Sequence, residues 1–210
     1  MRYTEFIILL IVLVLIPITV INGFIYAYKK LSRPHFFLLL FSLIAIPFTF
    51  FKIYERGFML DAVPDALHVN SISYSKEESW GFGPSGNEAG IRVYPLPANV
   101  ADEILRQGIE FFNNLPPNKN QKNRGWNGKY EKWYQTPTGV NDRWQPKEET
   151  GALDIYDYIC VYGFCIKIDD AVVKQATEIV NSEGSYYAYG RIGLIVVSPG
   201  KKLVLYMYNG

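Results

Sequence analysis

A chain of 210 residues with 49% hydrophobic residues and a net charge of +1 has room for one membrane module and one domain of ordinary size. Divided by region, residues 1–53 carry a net charge of +4, and residues 54–210 carry a net charge of −3. The weakly acidic larger part argues against a nucleic-acid binder, because phosphate binding needs clustered Lys and Arg.

Two apolar runs open the chain, and a short basic loop at residues 29–33 separates them. Residues 6–28 contain no charged side chain, and neither do residues 34–51. The first run would extend roughly 34 Å as a helix, which exceeds a hydrocarbon thickness of about 30 Å. Such runs disfavour a soluble core helix, and the first is longer than the apolar part of a signal peptide. We therefore predict a retained transmembrane helical hairpin in residues 1–53, with both runs as spans.

The charge of the connecting loop predicts the orientation of this hairpin. Lys29, Lys30 and Arg33 lie in or beside the loop, and the Lys and Arg residues flanking the spans on the other side also number three. The density of positive charge in so short a loop favours a cytoplasmic loop. Both termini and the large domain would then lie outside the cytoplasm. This describes an integral protein of an inner or plasma membrane, with the lipid bilayer as its first partner.

The rest of the chain is predicted to form a linker and one α+β domain. Residues 54–69 have the composition of a juxtamembrane linker, and residues 70–210 that of an extracytoplasmic domain with a mainly antiparallel sheet and two helices. Asn99 is expected to cap the first helix, and Asp169 or Asp170 the second. The expected elements are strands at 69–75 and 89–94, a helix at 99–113, strands at 155–161 and 164–168, a helix at 171–181, and a final hairpin of 186–197 and 203–208.

Cys160 and Cys165 are the two cysteines of the chain. If Tyr162-Gly163 forms a two-residue turn, the cysteines face each other across a strand pair with Cα atoms about 4.5 Å apart, within reach of a disulfide. An extracytoplasmic location would allow the bridge to form, and two reduced thiols in the strand pair are the alternative. The spacing differs from Cys-x-x-Cys, which disfavours a redox motif.

Motifs for cofactor chemistry are weak in this sequence. Residues 81–86 match Gly-x-Gly-x-x-Gly, but Pro84 interrupts the pattern and a strand is expected next, so we predict no nucleotide binding. Since His35 and His68 are the two histidines, a zinc site with several histidines is excluded, and we predict no metal ligand, cofactor or catalytic residue. Carboxylate pairs of the kind that glycosidases use stay open at Glu77-Glu78, at Glu148-Glu149, and at Asp154 with Asp157.

The long stretch 116–150 is the best candidate for a binding surface. Between Pro116 and Trp144 the side chains carry a net charge of +4, and three of the four tryptophans lie there. Trp and Arg are enriched in binding hot spots, and long loops often carry function. The alternative is that the tryptophans hold the loop to the core while its charges are solvated. The predicted partner-binding residues are Arg124, Trp126, Lys129, Trp133 and Trp144.

The predicted membrane hairpin would anchor the domain at 70–210, and the stretch 116–150 would supply a recognition loop. We therefore hypothesise a membrane-anchored, non-catalytic binding protein of the cell envelope. An immunity or exclusion protein that recognises a protein partner fits this plan. One alternative is an envelope enzyme that acts on peptidoglycan or another glycan with a carboxylate pair. The other is a subunit of a larger membrane complex held by its helices, for which Asn22 and Gly23 would suit a helix–helix contact.

Overall fold

The computed structural model describes residues 3–80, 87–139, 144, 153–161 and 165–210, with the backbone alone for residues 3–14 and 87. The chain falls into two compact units, Met1–Arg56 and Gly57–Gly210. The Gly-x-Gly-x-x-Gly match and the Glu148-Glu149 pair lie outside the described residues.

The first unit is built from two long helices. They are α1, Tyr3–Lys30, and α2, Arg33–Leu60, whose last turn belongs to the second unit. Among the residues that the structure describes, α2 is the one helix long and apolar enough to cross a membrane, and none of its apolar window is buried. An N-terminal apolar helix is therefore present as expected, while the two-helix membrane hairpin stays a prediction.

Polar side chains in the apolar part of α2 bond to its own backbone. Ser42 Oγ donates to Leu38 O at 2.8 Å, and Thr49 Oγ1 donates to Ala45 O at 2.7 Å. Because a hydroxyl without a partner is costly in hydrocarbon, this bonding suits a helix surrounded by lipid.

The second unit contains an antiparallel sheet of six strands. The strand order is β1-β2-β6-β5-β4-β3, and every described pair of neighbours is antiparallel. The strands are β1 Tyr74–Trp80, β2 Asn87–Pro95, β3 Trp133–Gln135, β4 Tyr186–Tyr189, β5 Leu194–Ser198 and β6 Leu203–Asn209. The mainly antiparallel sheet predicted from the sequence is thus present.

Helices cover both faces of this sheet because its central strands are apolar on both sides. Along β5, Leu194 and Val196 pack into one core with helices α6 (Ile155–Ile159) and α7 (Asp170–Asn181), whereas Ile195 and Val197 pack into a second core with helices α3 (Ala98–Gln107) and α4 (Ile109–Asn113). A strand alternates its side chains between the two faces, so a continuous apolar run requires two covers. The prediction of two helices is wrong, because the described residues of this unit form five α-helices: α3 Ala98–Gln107, α4 Ile109–Asn113, α5 Gln121–Arg124, α6 Ile155–Ile159 and α7 Asp170–Asn181.

The strand predicted at 155–161 is wrong, because Ile155–Ile159 forms helix α6. A capping box starts this helix: the Asp154 side chain accepts from Tyr156 N, and the Asp157 side chain accepts from Asp154 N. Both carboxylates satisfy backbone N–H groups that the first helical turn leaves free. Residues 165–168, the described part of the second expected strand, are not in a strand either.

Other elements have bounds that differ from the predicted ones. The helix expected at 99–113 divides into α3 and α4 at Gly108, whose φ of +64° interrupts the helix, and Pro97 stands at the N-cap where Asn99 was expected. Of the strand expected at 69–75, residues 69–73 are not in a strand and only Tyr74 and Ser75 belong to β1. The run at 186–197 turns at Gly190–Gly193 into β4 and β5. Strand β2, helix α7 with Asp169 as its cap, and the β5–β6 hairpin agree with expectation.

The segment interpreted as a juxtamembrane linker contributes to the core of the second unit. Ala62, Val63 and Leu67 are buried beside Tyr94 and Ile104. A single turn of 3-10 helix, Asp65–Leu67, shapes this segment. Its mixed polarity suggests a linker, but its acidic residues Asp61 and Asp65 form contacts with residues 116–150, which we call the Trp-rich stretch.

Candidate functional site

A buried arginine anchors the first part of the Trp-rich stretch. The Arg124 side chain is 6% exposed, and its Nη1 lies 2.5 Å from Asp65 Oδ1. Its Nη2 donates to Asp61 O and Val63 O, both at 2.9 Å. Its Nε is 3.2 Å from Asp61 Oδ1, an ion-pair contact without hydrogen-bond geometry. We call Arg124, residues 61–65 and Asn118 the loop base.

Asn118 completes the loop base through its side-chain amide. Asn118 Oδ1 accepts from Asp65 N at 2.8 Å, and Asn118 Nδ2 donates to Gly128 O at 2.7 Å. The carboxylate of Asp65 also accepts from Lys119 N at 2.7 Å. The bond to the Asp65 carboxylate is charge-assisted and therefore stronger than the two neutral amide bonds, and the three together hold the backbone on both sides of α5.

Tyr130 connects the loop base to the turn between β4 and β5. Its hydroxyl donates to Ala62 O at 2.9 Å. Its ring lies so close to Gly190 that a Cβ on that glycine would come within 3.1 Å of it. Burial raises the pKa of Tyr130 well above its ordinary value, and nearby Tyr206 and Tyr94 act in the same direction. Tyr130 therefore stays neutral and holds two distant segments together.

A cavity of about 330 Å³ opens beside this junction. We call its lining the cavity rim, and it is formed by Trp126, Lys129, Glu131, Tyr189, Gly190 and Arg191. Trp126 and Tyr189 are half-buried, whereas the charged side chains are exposed. Lys129 Nζ lies 3.4 Å from Glu131 Oε1. The rim thus combines aromatic surface with a basic edge that contains one carboxylate.

The structure separates the five predicted binding residues into two groups. Trp126 and Lys129 line the cavity rim. Arg124 lies in the loop base, and Trp133 and Trp144 are buried. Two of the tryptophans therefore pin the stretch to the core, which is the alternative raised from the sequence.

The two buried tryptophans pack against other aromatic rings. Trp133 lies on β3 and stacks on Phe112, with ring centroids 4.3 Å apart. Trp144 packs against Tyr158 at 5.2 Å. Both indoles are buried, so their packing stabilises the unit.

Sequence reasoning did not find the part of the rim contributed by the β4–β5 turn. Residues 186–197 look like one long strand because most of them are apolar or aromatic. The two glycines around Arg191 and Ile192 were the available signal, since a short glycine-flanked segment between apolar runs is typical of a hairpin turn.

Cys160 and Cys165 lie at the distance of a disulfide, with Cα atoms 4.7 Å apart. The expected strand pair does not bring them together, because Cys160 follows α6 as its C-cap. The turn proposed at Tyr162-Gly163 lies outside the described residues. The proximity was therefore predicted correctly from spacing, while the backbone that produces it was not.

The carboxylate pairs in the described residues serve structural roles. Asp154 and Asp157 cap α6. Glu77 and Glu78 point to opposite faces of β1, where Glu77 pairs with Arg92 at 2.7 Å and Glu78 pairs with Lys76 at 2.9 Å. Across the described part of the chain, no group of three or more potential ligands could hold a metal ion.

A second cavity, of about 430 Å³, has two carboxylates among its lining residues. Glu178 and Glu183 both face it, beside Leu105 and Ser198. Lys201 Nζ lies 2.8 Å from Glu178 Oε1, and this hydrogen bond lowers the pKa of Glu178. The general acid of a glycosidase needs a raised pKa, so the ion pair opposes that role for Glu178.

A second buried arginine lies in the sheet and was not found from the sequence. Arg92 Nη2 donates to Glu77 Oε2 at 2.7 Å and to Tyr208 Oη at 3.0 Å, and its guanidinium lies 5.0 Å from the centroid of the Tyr208 ring. Burial raises the pKa of Tyr208, although Arg92 partly opposes the shift. Desolvation lowers the pKa of Arg92, but Tyr208, Tyr94 and Glu77 outweigh it, so the cation persists.

Comparisons with protein-family models, with curated proteins and with solved structures find no match to this chain.

Proposed function

We propose that this chain is a membrane-anchored, non-catalytic binding protein of the cell envelope. Its second unit recognises a protein partner outside the cytoplasm through the cavity rim. An immunity or exclusion protein needs the same three parts: a tether, a compact domain and a recognition surface. The observation that carries the proposal is the cavity of about 330 Å³ with its aromatic and basic lining.

The way in which the cavity rim is held supports a binding role. The loop base and Tyr130 fix the backbone from Asn118 to Tyr130, while Trp126 and Lys129 keep their side chains at the cavity. A surface that is ordered before binding loses less conformational entropy when a partner arrives. Trp and Arg near a concave, partly desolvated surface are also typical of interaction hot spots.

The membrane and envelope location rests on two further observations. Helix α2 is long and apolar enough to span a bilayer. Cys160 and Cys165 lie at disulfide distance, and disulfides persist in oxidising compartments outside the cytoplasm. The helix supports a membrane location, and the cysteine pair supports the orientation expected from the basic loop.

An envelope enzyme is the second candidate, and the cavity with Glu178 and Glu183 is the observation in its favour. The Glu178–Lys201 ion pair weighs against it, as argued above. A membrane-complex subunit held by its helices is the third candidate. Deleting the second unit would leave such an assembly intact.

Site-specific photocrosslinking of the full-length chain in its native membrane tests the leading proposal. The photoreactive residue p-benzoylphenylalanine replaces Trp126 or Lys129 at the cavity rim, and in a control it replaces Lys174, which is exposed on α7. We expect one protein adduct of the same mass from both rim positions and none from Lys174. Absence of a rim adduct, or the same adduct from Lys174, would refute the proposed function.

A further inference from the structure

We infer that the cavity rim binds an acidic segment of the protein partner, with a carboxylate of that segment on Arg191 and an apolar side chain against Trp126. This inference rests on the proposed function and specifies the chemistry of the partner. It starts from charge: the rim carries two cations and one carboxylate, on a domain whose residues 54–210 have a net charge of −3. A basic site on an acidic domain selects anionic partners, because the rest of the surface repels them.

Arg191 is the cation of the cavity rim that can form an ion pair with a partner. Lys129 has a carboxylate neighbour in Glu131 at 3.4 Å. Arg191 is exposed, and no ion pair to it occurs among the described residues. A guanidinium presents paired donors that match a carboxylate in a bidentate geometry. Arg191 therefore supplies the direct contact, and Lys129 adds to the local potential.

The turn that carries Arg191 has a fixed backbone. Gly190 N donates to Gly193 O at 2.9 Å, which closes the turn. Gly193 has a φ of +101°, and a Cβ there would come within 2.6 Å of Met207 O. The Tyr206 hydroxyl donates to Ile192 O at 2.7 Å. Because these contacts hold the backbone, ordering only the Arg191 side chain is needed to form the ion pair.

Apolar surface beside Arg191 favours a peptide with mixed character. Ile192 follows Arg191 in the same turn and is 39% exposed, while Trp126 and Tyr189 are half-buried in the rim. The volume of about 330 Å³ is near the lower end of ligand cavities, which run from about 300 to about 1,000 Å³. Such a cavity accommodates one or two side chains of a peptide.

The same observations disfavour an anionic membrane as the ligand. Recognition of anionic lipids relies on a cluster of roughly 4–8 Lys and Arg without a fixed partner. The cavity rim concentrates its charge at Arg191 and Lys129 and includes Glu131. A localised cation beside half-buried aromatic rings is better suited to a single carboxylate on a peptide.

Binding of peptides to the full-length chain in nanodiscs of zwitterionic lipid tests this inference. The probe is a short fluorescein-labelled peptide of alternating glutamate and phenylalanine, and its control has glutamine in place of glutamate. We expect the acidic peptide to bind at least about tenfold more tightly than the control, and Arg191→Glu to remove that preference. The exposed residue Lys167 provides the matched charge reversal, Lys167→Glu, which should leave binding unchanged.

A reversed-charge arm keeps the test independent of folding. Arg191→Glu should gain affinity for a peptide in which lysine replaces glutamate, which a misfolded protein would not do. Equal binding of the acidic and glutamine peptides overturns the inference. So does loss of the acidic peptide to competing vesicles of anionic lipid, or an undiminished preference in Arg191→Glu.

The inference and the proposed function fail in different ways. If the photocrosslinked adduct at Trp126 forms equally well in the Arg191→Glu variant, the acidic segment is wrong and the binding function stands. If no adduct forms at the cavity rim in the unaltered protein, the binding function itself is wrong.

Discussion

The loop base and the cavity rim each contain an arginine and at least one carboxylate, but the arginine is buried in the loop base and exposed in the cavity rim. In the loop base, Arg124 is 6% exposed and each of its contacts is to residues 61–65. In the cavity rim, Lys129 and Arg191 are exposed beside Trp126. The difference shows that the Trp-rich stretch contains two kinds of residue, those that attach it to the domain and those that are exposed at the cavity. The burial of a side chain and its hydrogen-bond or ion-pair partners determine to which kind it belongs.

Trp133 and Trp126, two of the three tryptophans in residues 116–150, give the largest contrast between a buried residue and a residue of the cavity rim. Trp133→Ala should lower the free energy of unfolding by about 4 kcal/mol, because it removes a buried ring that stacks on Phe112 and leaves a cavity. Trp126→Ala should lower it by no more than about 1 kcal/mol, since its ring is only half-buried. Denaturant unfolding of the full-length protein in detergent, followed by near-UV circular dichroism, measures both. Equal losses would contradict the distinction between the buried Trp133 and the cavity-rim residue Trp126.

Arg124→Ala is the next largest effect and addresses the loop base directly. We expect a loss of about 3 kcal/mol, because Asp65 loses its ion pair and two backbone carbonyls lose their donors. Lys122 lies in the same turn of helix and is exposed, so Lys122→Ala should stay within about 0.5 kcal/mol of the unaltered protein. The same unfolding measurement compares them. A neutral Arg124→Ala would show that the loop is held by its tryptophans alone.

The smallest effect appears at alkaline pH and reports on Tyr206, which anchors the turn of the rim. Burial raises the pKa of Tyr206 to about 12, against about 10 in an unfolded chain. Because the folded state favours the neutral phenol, this contribution to stability is complete below about pH 10 and is lost as the pH rises through about 12. The loss is up to about 1.4 kcal/mol per pH unit.

Tyr206→Phe should remove the part of the alkaline slope that Tyr206 contributes and leave the parts from Tyr130 and Tyr208, whose pKa values are also raised. It should also cost one hydrogen bond, to Ile192 O, which is worth about 1 kcal/mol at every pH. Unfolding free energies measured across this alkaline range, with tyrosinate absorbance recorded in parallel, give the slope. An unchanged slope in Tyr206→Phe would mean that Tyr206 ionises in the folded state as easily as in the unfolded chain.

Elements with a strong local pattern were predictable from the sequence. Helix α7 has an apolar face and an aspartate cap, and the β5–β6 hairpin has a turn between two apolar runs. The mostly apolar and aromatic run at 155–161 predicts a strand, whereas the capping box at Asp154 and Asp157 selects helix α6. Short apolar runs fit both elements, and the cap contacts decide between them.

The candidate site was predictable only in part. The composition of residues 116–150 pointed to a stretch that contributes Trp126 and Lys129 to the cavity, and binding by that stretch stays a prediction. Arg191 and Tyr189 could not be found, because they come from a turn that lies about 60 positions further along the chain. The ion pairs of Arg124 with Asp61 and Asp65 could not be predicted, because these partners lie about 60 positions away along the chain.

By itself, the sequence determined an apolar N-terminal segment, an α+β domain with a mainly antiparallel sheet, and a pair of cysteines close enough to bridge. These features follow from apolar runs, from the periodicity of apolar residues and from the short spacing of the cysteines, all of which involve residues near one another in the sequence. Only the tertiary structure decided which arginine is buried in the loop base and which faces the cavity. Whether a charged side chain is buried or exposed depends on partners from distant segments of the chain. The positions of those partners follow from the packing of the whole domain.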